Sequence, residues 1–234
     1  MLETAYHNAL NNHQYGLVAL YTYIVTVTLA GINHWVSGSN LFLISFTALA
    51  VAHPVVNYLR SVNKGDLERH ESFEEIIGDH VEEITTVWMI FIAVLAGFLT
   101  AHIAGLTTFS DVSLDAANVV SDTGFQAILT NNALVAAYTA LLSFVSVAGL
   151  VFVLAWNAGL LASYASQTRA LDVAFVLPHG LLEVAGYVSA GLAGSLLAMR
   201  FQLDVDDDLW AEDLSFLVAA SIAFIAVAAV IETL

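Results

Sequence analysis

The sequence predicts an all-α fold, a polytopic transmembrane helix bundle of about six spans with broken helices near Asn157 and Pro178. Three observations predict it. The chain of 234 residues is 59% hydrophobic with only two prolines, and its mean hydropathy of +0.81 exceeds what a soluble core requires. Apolar runs long enough to cross a bilayer recur along it, separated by short polar connections. Inside those runs sit a few ionisable and amide side chains, which are costly in hydrocarbon and mark interior polar sites.

Taken in order, residues 1–14 are polar and lack the basic start and small-residue cleavage site of a signal peptide, so the mature chain is expected to keep them. Residues 15–36 form a first span and 41–59 a second. Only Ser37-Gly38-Ser39-Asn40 joins them, which predicts a helical hairpin and an N-terminal unit over 1–60. Residues 61–83 form an acidic connector, in which Phe73-Glu74-Glu75-Ile76-Ile77 and Val81-Glu82-Glu83-Ile84 interleave apolar and acidic residues as an amphipathic helix does. Further spans are expected at 84–106, 133–156, 173–199 and 214–234. The piece between Asn157 and Gln167 is too short to cross alone and reads as a helix extension or re-entrant turn. Residues 84–234 thus form one membrane module, and an even number of spans places both termini on one side. Arg60, Lys64, Arg69 and Arg169 fall on that side and Arg200 opposite, so the basic residues vote for cytoplasmic termini in a multi-pass cell-membrane protein.

Charge excludes some partners. The chain has 21 Asp+Glu against five Lys+Arg, a formal net charge of −16 that repels nucleic acid. The acid excess and near-absence of lysine fit a protein hydrated in very high salt, where charge repulsion is screened, and point to an extremely halophilic archaeal source. With no cysteine there is no disulfide, no thiolate metal site and no cysteine nucleophile.

The stretch Leu177-Pro178-His179-Gly180-Leu181-Leu182-Glu183 carries the strongest signal. Proline lacks a backbone N–H and fits the first turn of a helix, so a helix is expected to start or restart at Pro178. His179 and Glu183 then share a face at i and i+4 and can meet. Beyond them Gly186, Ala190 and Gly194, with Gly191 and Ser195 on a neighbouring stripe, give a small-residue surface for close helix contact.

These residues resemble the stage II sporulation protein M family, whose members show a Pro-His-Gly-x-x-Glu segment followed by small residues. Phe125 with Ile128-Leu129-Thr130-Asn131-Asn132 resembles the family's "F…NN" entry. Trp156-Asn157-Ala158-Gly159 resembles its "N-G" step, with an alanine intervening. The resemblance implies a membrane scaffold, after the bacterial namesake that serves a cell-wall-degrading complex during engulfment.

Three readings compete at the polar residues. In the first, Asn131, Asn132, Asn157, Pro178, His179, Gly180 and Glu183 form a polar core that locks helices together, and the protein is a non-enzymatic scaffold or assembly factor for envelope-associated partners. In the second, broken helices at Asn157 and Pro178 build a mid-membrane ligand site for a transporter or channel. In the third, His179 and Glu183 serve an intramembrane metal-dependent hydrolase, with His53 or His102 as further ligands. The scaffold reading is preferred, with no cofactor indicated. Membrane lipid and a homodimer built on the last span or the Gly191/Ser195 stripe complete the expected partners.

Overall fold

A computed structural model describes residues 15–36, 39–62, 73–107, 124–146, 148–168, 170–201 and 207–233. They form seven α-helices: α1 (Tyr15–Trp35), α2 (Asn40–Val62), α3 (Phe73–Ile103), α4 (Phe125–Val145), α5 (Ala148–Gln167), α6 (Ala170–Arg200) and α7 (Asp207–Glu232). The described residues contain no strand. Six segments are long and apolar enough to cross a membrane: Gly16–Trp35, Glu83–Ile103, Phe125–Val145, Ala148–Gln167, Val176–Ala198 and Ala211–Glu232; α2 contributes a shorter apolar run, Phe42–Ala52. In hydrocarbon a backbone must satisfy its own polar groups, and helices do so within one segment. The protein is therefore a helical, multi-pass membrane protein.

The helices group around α5. On one side α1 packs on α3 and α2 packs on α5; on the other α4 and α7 both pack on α6; and α5 touches α2, α3, α4 and α6. One hydrophobic core runs through both groups, taking in Val18, Leu43, Phe91, Leu154, Val188 and Leu217. Glycines set the closest approaches. A Cβ at Gly97 would meet Thr26 at 2.7 Å, one at Gly191 would meet Leu150 at 2.5 Å, and one at Gly194 would lie 2.1 Å from the backbone oxygen of Ala140. Such contact is how helices associate where no hydrophobic force separates helix from lipid tail.

The number of crossing segments agrees with the sequence reading but their identity does not. The span expected over 133–156 is divided at Ser146, whose extended backbone caps α4. Ser146 accepts through its carbonyl from Gly149 N–H at 2.7 Å, and its hydroxyl accepts from Ala148 N–H at 3.3 Å. Gly149 makes the tight corner possible, since its Cβ would meet Leu142 backbone at 2.6 Å. The piece read as a helix extension or re-entrant turn is a helix extension, the second half of α5. Asn157 does not break that helix, because its Nδ2 donates to the Val153 carbonyl 2.8 Å away. Nor does a helix begin at Pro178: α6 runs through it. Pro178 removes one backbone donor two residues inside the apolar segment that begins at Val176. The carbonyl it frees lies one turn back, outside that apolar segment.

This division changes the topology. Asn132 pairs with Glu183 and the Ala140 backbone abuts Gly194, so α4 and α6 run parallel and α5 returns between them. Gly186 abuts Ile225 and Ser221, while Glu232 lies near His179, so α7 runs antiparallel to α6. Gly124, the start of α6 and the end of α7 therefore share one end of the bundle, and Arg200 lies at the other.

Candidate functional site

Continuity of α6 through Pro178 places Glu183 and Tyr187 one turn apart on the face that meets α4. Asn132 reaches them from α4, in a buried row with Ile128, Ala136, Thr139 and Ser143. Its Nδ2 donates to Glu183 Oε1 at 2.5 Å. Its Oδ1 accepts from the Tyr187 hydroxyl at 3.3 Å and from Asn131 Nδ2 at 3.3 Å. One carboxamide thus serves as donor to a carboxyl group and acceptor from a phenol, which uses both ends of its polarity. Asn132 and Tyr187 are 5% and 2% exposed, so neither has bulk water as an alternative partner.

Depth explains why the pairing matters. Glu183 lies seven residues beyond Val176 and Asn132 seven beyond Phe125, about 10 Å into each apolar segment at 1.5 Å per residue. An unsatisfied polar group there costs several kcal/mol. Above the cluster, Glu232 at the end of α7 is within electrostatic range of His179, Glu183 and Tyr187. The site is thus a graded series: half-buried Glu232 and His179 at the rim, then Glu183, then the buried Asn132 and Tyr187.

Beside it runs a groove of about 280 Å³ between α4 and α7, floored by α6. It is lined by alanines of α4 and α6 and by aliphatic residues of α7, with Ser221 as the polar lining residue. Tyr187, Ala136, Ala190 and Ile225 form one packed cluster, so the groove floor and the polar group are continuous.

Of the residues singled out in the sequence, the fold brings together Asn131, Asn132 and Glu183. His179 sits one turn from Glu183 but no hydrogen bond joins them; the partner of Glu183 is Asn132, on another helix. Asn157 is spent on its own helix, Pro178 lies exposed within α6, and Gly180 faces open space. His102 Nδ1 is 3.2 Å from the Thr107 carbonyl at the end of α3, among different partners. The His53 side chain lies outside the described residues. Among those described, no group of three His, Asp or Glu is placed to hold a metal. The packing residues Gly186, Ala190, Gly191 and Gly194 are all buried within the chain, facing α7, α4 or α5. The Gly191 stripe is packed against Leu150 within the chain. Two members of the site went unpredicted. Tyr187 had a signal, its i+4 spacing from Glu183; Glu232 had none, since only the return of α7 brings it there.

A family model described as stage II sporulation protein M matches residues 84–234. No curated protein matches the chain, and no solved structure does.

Proposed function

The chain belongs to the stage II sporulation protein M family, and from that premise we propose that it is a non-enzymatic membrane scaffold whose polar cluster fastens α4 to α6. The observation that carries this reading is the Asn132 carboxamide, which spends its donor on Glu183 and its acceptor on Tyr187. Polar groups that satisfy one another across helices fix a packing. The transporter reading required Asn157 and His179 to line a common cavity. Asn157 is bonded to Val153 and the groove beside the cluster is apolar. In this proposal the large apolar residues at helix ends, Trp35, Ile103 and Phe201, each three-quarters or more exposed, are where envelope-associated proteins are met.

The proposal extends to orientation. The end of the bundle that carries Arg200 is taken as cytoplasmic by the positive-inside tendency, with Lys64 and Arg69 counted by sequence position alone. The carboxyl terminus, with Glu232, then faces outward, whereas the amino terminus stays cytoplasmic when α1 and α2 both cross.

The test has two arms. Photo-crosslinking amino acids at Trp35, Ile103 and Phe201 in the native membrane are expected to give a discrete protein adduct; lipid adducts alone at all three overturn the scaffold reading. Purified protein in liposomes, wild type and Glu183→Gln, is expected to move no charge under an imposed ion gradient or potential. A current abolished by Glu183→Gln puts the transporter reading in its place.

A further inference from the structure

We propose that the outward face of α4 is the surface on which two copies of this chain pair, with Asn131 at its polar centre. α4 turns the row that contains Asn132 and Ala136 into the chain. Away from that row, Ala127, Asn131, Leu134, Tyr138, Leu141 and Val145 recur at alternating spacings of four and three residues, and all six are exposed. This alternation holds a stripe against one partner helix over several turns. Two of its members are polar, and both lie inside the apolar segment Phe125–Val145. Asn131 is six residues from the start of that segment and Tyr138 seven from its end, about 10 Å deep in each case at 1.5 Å per residue.

The hydrogen bonding of Asn131 identifies the partner. Its Nδ2 donates to Asn132 Oδ1 at 3.3 Å. Its own Oδ1 and the Tyr138 hydroxyl have no hydrogen-bond partner among the described residues. A helix cannot supply what Oδ1 needs, because every N–H in its interior is already engaged and only carbonyls remain to be shared. The exposed side of α7 differs, since the Ser215 hydroxyl there returns to the Ala211 carbonyl of its own helix at 2.6 Å. Asn131 therefore needs an outside donor at its own depth, and can itself donate in return. Copies of one membrane protein share an orientation, so a two-fold axis along the membrane normal lays α4 beside α4 in parallel and each residue meets its counterpart. Two carboxamides so placed exchange a donor and an acceptor. In the stripe Asn131, Tyr138 and Val145 hold one heptad position and Ala127, Leu134 and Leu141 the other, and a lone asparagine at the first of these positions is what fixes register and copy number in paired parallel helices.

The experiment uses the full chain, purified and placed in liposomes. The chain has no cysteine, so each introduced thiol reports alone. Leu134→Cys and Leu141→Cys are expected to give a disulfide-linked dimer on mild oxidation, while Leu49→Cys on α2 and Ile222→Cys on α7, equally exposed, are expected to stay as protomers. Photobleaching of single labelled complexes at falling protein density is expected to show two copies for the wild type and roughly tenfold weaker pairing for Asn131→Leu. The cysteine arm keeps Asn131 in place, so it decides the question even where Asn131→Leu fails to fold. A single copy for the wild type at every density, cross-linking at Leu49 or Ile222 as efficient as at Leu134, or pairing unchanged by Asn131→Leu would each overturn the proposal. A single copy in liposomes, together with a photo-crosslinker at Leu134 that captures a different protein in the native membrane, would assign the face to that protein instead.

Discussion

Two glycines of α6 undergo the same chemical change with opposite expected outcomes. Gly180 has nothing within 4 Å of a built Cβ, and its φ lies in the ordinary region. Alanine there removes only the unfolded chain's extra freedom, so Gly180→Ala is expected to stabilise by about 0.5–1 kcal/mol. Gly194 stands against the Ala140 backbone, where a Cβ would lie 2.1 Å from the carbonyl oxygen and 2.8 Å from its carbon. Real Cβ contacts essentially never fall below 3.0 Å, so α4 must back away by nearly an ångström. The obstacle is backbone, which has no rotamer to change. Overpacking costs about 1–3 kcal/mol, and a rigid obstacle places Gly194→Ala near the top of that range. The same propensity gain offsets roughly 1 kcal/mol, leaving a net loss of about 2. The two variants should therefore differ by about 3 kcal/mol in equilibrium unfolding, measured by SDS titration in mixed micelles or by steric trapping in bicelles. Gly194→Ala at or above wild-type stability would refute the close α4–α6 approach. A destabilised Gly180→Ala would show that the Pro-His-Gly turn needs its glycine for something other than space.

Asn132→Leu should destabilise by about 1–2 kcal/mol, because it strands both Glu183 and Tyr187 while the membrane-unfolded state finds other partners, whereas Asn157→Leu, which loses only a bond within its own helix, should stay within about 0.5 kcal/mol of wild type in the same titration. Glu183→Gln keeps an acceptor for Asn132 and is expected to melt close to wild type, while Glu183→Leu leaves the Asn132 donor buried and unsatisfied and should melt lower; equal melting temperatures would contradict the lock. Gly149→Ala pushes a Cβ into the Leu142 backbone and should cost about 1–3 kcal/mol, seen also as faster proteolysis at the α4–α5 corner.

Much of the site was legible before folding was considered. Glu183, Asn131 and Asn132 stand out because polar side chains in apolar runs need partners, and the small residues after Glu183 announce a close helix contact. The breaks were misplaced for a local reason. Asn157 and Pro178 look like interruptions, yet Asn157 satisfies a carbonyl of its own helix, and Pro178 leaves its freed carbonyl outside the apolar segment. The actual break at Ser146 carries no proline and only one glycine, and hydropathy runs through it unchanged.

The sequence by itself determined that the chain lives in a membrane as helices, which residues must be buried against protein, and to which family it belongs. These follow from hydrocarbon being a solvent that cannot hydrogen-bond. Tertiary structure alone decided the partners. It gave Glu183 to Asn132 rather than to the nearer-in-sequence His179, packed Gly191 against Leu150, and carried Glu232 from the last residue of α7 to the rim of the site. Periodicity reports which way a side chain faces along its own helix, whereas the partner it meets depends on the direction and register of the neighbour. That direction was set at one tight corner, Ser146 to Gly149, where α4 turns into α5 and every later helix takes its sense.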